Sequence, residues 1–95
     1  MITVVNKKTY KGKGEYIGRP NVLGNPFPVS MGRDKCIAEY KKWLNNKIKS
    51  KDSAVCAELN RLYKIAKHGD LTLVCWCAPL ACHGDVIKAV IEEKL

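Results

Sequence analysis

Residues 71–77, LTLVCWC, form an unbroken apolar run with no polar alternation. Such a run predicts a buried strand of the kind found in parallel sheets. A turn over APLA follows, with Pro79 in it, and then an amphipathic stretch that begins near Cys82 and sets Val86, Ile87, Val90, Ile91 and Leu95 on one helical face. Upstream, Ile2 to Asn6 is rich in β-branched residues and predicts a first strand, and Glu15 to Ile17 a short one. Between them and the buried run lie two helical patterns. The first is capped by Asp34 and carries Ile37, Tyr40, Trp43, Leu44 and Ile48; the second is capped by Ser53 and carries Val55, Leu59, Leu62, Tyr63 and Ala66, with Gly69 as terminator. Strands alternating with helices imply a small α/β sandwich, with a short central sheet, some parallel pairing and about three helices.

At 95 residues, without repeats or a low-complexity linker, the chain reads as one domain, 1–95. Its formal charge of +8 favours anionic partners, although lysines spread over exposed faces also serve solubility without any partner. MITVVNKKTY lacks an apolar stretch of export-signal length, and no segment approaches a membrane span. A cytoplasmic location is therefore expected, with the five cysteines as reduced thiols, metal ligands or reactive groups instead of disulfides.

The segment CWCAPLACHGD runs from the end of the buried strand into the last helix. In open α/β sheets, ligands gather beyond the carboxyl ends of strands, where helix amides and the helix dipole favour an anion. Three readings of its cysteines compete. Cys75 and Cys77 share a strand face and, with Cys82 and His83, make a conceivable zinc set, although C-x-C-x4-C-H is not a familiar zinc spacing. Cys82, at a helix start beside His83, has the setting of a nucleophile, with His83 as acid–base group and Asp85 to orient it. Alternatively the thiols, Cys36 and Cys56 included, are small core residues. No other cofactor is implied.

The second informative segment is GRPNVLGNPF. Gly18 and Gly24 permit close backbone approach, and Arg19 offers a two-pronged donor for phosphate or carboxylate. Asn21 and Asn25 carry the donors and acceptors that a base or ribose needs, and Phe27 is placed to stack or to plug the core. Arg33 adds a cation just ahead of a helix, and Gly84 belongs to the facing turn. An ordinary ordered loop stiffened by Pro20 and Pro26 is the plainer alternative. Loops of this length in small domains are more often functional.

These two segments resemble a small bacterial and phage family catalogued only as a domain of unknown function. Its pattern is GRP-x-x-LGNPF followed by CWC-x-P-x-x-CHGDVI, matched here by Gly18, Arg19, Pro20, Leu23, Gly24, Asn25, Pro26 and Phe27, and by Cys75, Trp76, Cys77, Pro79, Cys82, His83, Gly84 and Asp85. The resemblance implies a compact α/β fold of Rossmann-like type and a phage or mobile-element setting, hence host cytoplasm if phage-encoded. It implies no reaction. Three functions are in view: binding of a small, nucleotide-like or phosphorylated anion; a hydrolase or transferase acting on such a compound through Cys82 and His83; and a basic module contacting nucleic acid or inhibiting a protein through the lysines of 7–13 and 41–51, which matches no known nucleic-acid motif.

Overall fold

The computed structural model describes residues 1–78 and 80–95. Pro79, expected in the turn after the buried strand, lies outside the described residues. Strand β1 (Ile2–Asn6) is followed by β2 (Glu15–Tyr16), a 3-10 turn (Val29–Met31), α1 (Arg33–Lys49), α2 (Ser53–His68), β3 (Leu71–Cys75) and α3 (His83–Lys94). The strand order is β1-β3-β2, and both pairings are parallel. Ile2 stands opposite Leu71 and Asn6 opposite Cys75, while Glu15 and Tyr16 stand opposite Leu73 and Val74. The most apolar strand thus occupies the centre, bonded on both edges. Because all three strands run the same way, Asn6, Tyr16 and Cys75 end at one edge of the sheet.

That edge also explains where β3 stops. An expected strand of residues 71–77 ends at Cys75, whose carbonyl accepts the last rung of the ladder from the Lys7 amide at 2.7 Å. Beyond it, the Asn6 side-chain amide donates to the carbonyls of Trp76 and Ala78, each at 3.0 Å. One asparagine therefore turns the chain out of the sheet and satisfies the carbonyls that the ladder leaves behind.

Two helix starts differ from their expected caps. Helix α2 is capped by Asp52, whose Oδ1 accepts from the Val55 amide at 3.0 Å, and Ser53 is its first helical residue. Helix α1 starts at Arg33 behind Gly32, with no side-chain cap, and Asp34 sits inside the first turn. Gly32 has φ 98°, a conformation that L side chains rarely adopt, so glycine is required there. Helix α3 starts behind Cys82, as its sequence suggests. Gly69 closes α2 in an extended conformation.

The core lies on one face of the sheet. Ile2, Leu71, Leu73 and Cys75 meet Tyr40 and Leu44 of α1, Val55, Leu59, Leu62 and Ala66 of α2, and Val86, Ile87 and Ile91 of α3. Helices α2 and α3 touch β3, α3 also touches β1, and α1 packs on both other helices. Val74, on the alternate face, is buried outside that cluster, with Gly14 of the basic loop against it. Cys56, expected in the core, is only half-buried, and Leu95 is exposed at the chain end.

Candidate functional site

The loop that follows β2 is held by its own polar groups. The Asn21 side chain accepts from the Leu23 amide at 2.8 Å, and the Asn25 side chain from the Phe27 amide at 2.9 Å. Each asparagine thereby builds a turn on the backbone two residues ahead. Their amide groups are used as well: Asn21 donates to Glu58 at 3.2 Å and Asn25 to the Cys36 sulfur at 3.1 Å. Arg61 draws Glu58 and Glu15 together, at 2.8 and 2.6 Å, so the loop is braced against α2 and β2. Leu23 is fully buried beneath it, and the Tyr40 hydroxyl donates to the Leu23 carbonyl at 2.7 Å.

This loop, the first turn of α1 and the chain from Trp76 to His83 enclose a cavity of about 220 Å³. Gly18, Arg19, Asn25 and Phe27 come from the loop, Arg33, Cys36 and Ile37 from α1, and Trp76, Cys77, Ala81, Cys82 and His83 from the chain after β3. Two segments some fifty residues apart in sequence therefore share one site, at the carboxyl edge of the sheet where parallel α/β proteins place ligands.

Both guanidinium groups are held by carbonyls and not by acids. Arg19 Nε donates to the Asn25 carbonyl at 2.8 Å, with Nη2 3.5 Å from the Phe27 carbonyl. Arg33 Nη1 donates to the Ala81 carbonyl at 3.0 Å, which bridges α1 to the opposite wall. Among the described residues neither arginine pairs with a carboxylate. Each keeps donors to spare, since a guanidinium has five.

Trp76 is half-exposed beside the cavity, and its Nε1 donates to the Tyr16 hydroxyl at 2.9 Å. That hydroxyl donates in turn to the Arg19 carbonyl at 3.0 Å, so the indole is locked to the loop. The Lys7 ammonium lies 4.7 Å from the centre of the Tyr16 ring and 5.9 Å from that of Trp76. The mouth therefore carries a fixed aromatic face next to positive charge.

The start of α3 is closed by its own groups. Cys82 Sγ accepts from the Gly84 amide at 3.2 Å, and the Asp85 carboxylate accepts from the Cys82 amide at 3.1 Å, a reciprocal capping box. Asp85 is thus occupied with the helix end, while the His83 ring is oriented by the Ile17 carbonyl, 2.8 Å from Nε2. Burial pushes the Cys82 thiol up to about 12, helped by the neighbouring Cys75 sulfur at 3.4 Å, the opposite direction from an activated nucleophile. Burial also holds the His83 pKa below the ordinary histidine value, so the imidazole is neutral at pH 7.

Of the residues singled out in the sequence, Arg19, Asn25, Phe27, Arg33, Cys77, Cys82 and His83 meet at the cavity. Asn21, Gly24, Gly84, Cys75 and Asp85 are not part of its wall. Gly84 serves packing instead, since a Cβ there would come within 3.0 Å of Ile17 and Val4. Among the described residues no three His, Cys, Asp or Glu side chains are grouped to hold a metal ion. Cys36 and Ile37 were missed as wall residues, although they follow Arg33 by three and four positions and so share its helix face. Trp76 was missed because an unbroken apolar run gives no sign of where its strand leaves the sheet.

Residues 3–93 match a family described as a domain of unknown function, DUF4326. No curated protein and no solved structure matches the chain. With the match spanning both wall-forming segments and nearly the whole sequence, the chain belongs to the DUF4326 family.

Proposed function

We propose that the cavity binds a small phosphorylated, nucleotide-like ligand. The observation that carries this is the meeting of Arg19 and Arg33, with no carboxylate partner among the described residues, in one pocket. A pair of guanidinium groups with free donors suits an anion with several oxygens, and phosphate is the common biological case. The first turn of α1, which no side chain caps, leaves the positive end of the helix dipole beside Arg33. Ligand sites usually exceed about 300 Å³. At about 220 Å³ the pocket lies below that range and takes part of such a ligand, its phosphoryl end against the two arginines. The remainder of the ligand lies across the mouth, where the half-exposed Trp76 offers a face for a planar ring.

Isothermal calorimetry with inorganic phosphate, AMP, ADP and a cyclic nucleotide tests this directly. The expected result is binding of at least one of them, weakened about 10- to 100-fold by Arg33→Ala, the loss of one charge-assisted contact of about 1.5–3 kcal/mol. Arg33 is the sharper choice because it makes one bond, to the Ala81 carbonyl, whereas Arg19 holds its own loop at both the Asn25 and Phe27 carbonyls. No binding by any of the four, or binding untouched by Arg33→Ala, rules the reading out. Binding of longer single-stranded nucleic acid alone, with a steep salt dependence, would favour the basic-module reading instead.

A further inference from the structure

His83 is 8% exposed and forms part of the cavity wall. Its Nε2 is bonded to the Ile17 carbonyl at 2.8 Å. A carbonyl only accepts, so Nε2 carries the proton, and the lone pair of the neutral ring is on Nδ1. Nδ1 has no hydrogen-bond partner among the described residues, yet no fully buried side-chain nitrogen or oxygen there lacks one. Nδ1 is therefore reached by solvent, and the cavity is the space that His83 borders. Two of the three thiols in the wall are tied up: Cys82 as the α3 cap, and Cys36 between Asn25 and the Phe27 carbonyl.

We infer that His83 Nδ1 is a phosphoryl acceptor, taking the terminal phosphoryl group of a phosphoanhydride held by Arg19 and Arg33. This rests on the reading of the cavity as a site for phosphorylated ligands and adds a reaction to it. The Nδ1 lone pair attacks phosphorus and forms the N–P bond. The bond from phosphorus to the bridging oxygen breaks, and the leaving group departs with that electron pair as an acyl carboxylate or a shortened phosphate. No proton has to be removed from the nucleophile, because burial keeps the ring neutral. The ring gains a positive charge, offset by the attached phosphoryl group, while Nε2–H stays on the Ile17 carbonyl. The guanidinium groups stabilise the charge spread over the transferring oxygens. Water or an acceptor hydroxyl then attacks phosphorus, and the N–P electron pair returns to Nδ1.

The chain has two histidines, and His68, exposed at the end of α2, serves as an internal control. The purified protein is incubated with acetyl phosphate and, separately, with ATP, then followed by intact mass and phosphorus–proton NMR. The expected result is one acid-labile, alkali-stable phosphoryl adduct on Nδ1 of His83, absent in His83→Gln and retained in His68→Gln. Arg33→Ala, which leaves the imidazole in place, should slow its formation at least about tenfold, the loss of one charge-assisted contact. Equal rates in that variant overturn the proposal. So does an adduct on His68, on Nε2 or on a cysteine, or no adduct at all, while phosphate compounds still bind in an Arg33-dependent way; the binding reading then stands alone. Absence of both adduct and Arg33-dependent binding removes the two together.

Discussion

Helices α1 and α3 both begin at the rim of the cavity, but they meet it in opposite states. Helix α3 brings its own anion: Asp85 and Cys82 occupy the terminal amides and return the charge that the helix dipole asks for. Helix α1 begins behind a glycine, without a side-chain cap, and presents Arg33, Cys36 and Ile37 to the pocket. The sequence suggests the reverse, because Asp34 has the look of a cap and CHGD that of an anion-binding turn. Composition at a helix start therefore does not say whether its amides are available. That depends on whether the residue at the cap position and the acid in the first turn bond back to the backbone: Cys82 and Asp85 do so in α3, whereas Gly32 has no side chain to do so in α1.

Substitutions at the two starts sharpen this contrast. The largest effect is expected at Gly32, where Gly32→Ala must hold an alanine at positive φ and should cost about 1–3 kcal/mol in urea unfolding. A neutral result would mean that α1 begins elsewhere. Asp85→Ala, which opens the α3 capping box, should cost about 1 kcal/mol, whereas Cys82→Ser should be tolerated because a hydroxyl is a better cap than a thiol. If Asp85→Ala were silent, α3 would be no more closed than α1.

A third effect is one of pH. His83 is held neutral by burial, so its folded pKa lies below the unfolded value of 6.5. Below about pH 6.5 the unfolded chain takes up a proton that the folded chain refuses. Stability should therefore be level above that pH and decline below it, until the folded pKa is passed. Asp52 and Glu58, whose carboxyl groups are held low by the Val55 amide and by Arg61 respectively, add their loss only in the more acidic carboxylate range. Urea midpoints between pH 7 and 5 should fall for the parent protein and stay level in His83→Gln; parallel curves would mean that the imidazole is not buried neutral. The smallest change is expected from Asp34→Asn, a few tenths of a kcal/mol through the dipole alone. A loss near 1 kcal/mol would show that Asp34 caps α1 after all, and the contrast between the two starts would collapse.

Much of the architecture is legible in the residues. The β-branched start, the spacing of Tyr40 and Leu44, the stripe from Val55 to Ala66 and the apolar run at 71–75 each carry a period that one type of element satisfies. Arg19, Arg33 and His83, which line the cavity, could be named as candidates because their chemistry is conspicuous in loops and at helix starts. Asn21 and Asn25 could not be sorted in the same way. An asparagine that builds a turn and one that grips a ligand use the same atoms, and only the bonds to the Leu23 and Phe27 amides reveal the first.

By itself, then, the amino-acid sequence determined the elements, their order and the presence of two chemically loaded loops, because helical and strand periodicity and backbone preferences act over a few residues. Tertiary structure alone decided the strand order β1-β3-β2, the release of Trp76 from the sheet and the closing of Arg19, Arg33 and His83 around one cavity. These depend on contacts between residues ten to seventy positions apart. Such contacts leave no local pattern in the chain, and they are settled by which faces bury together.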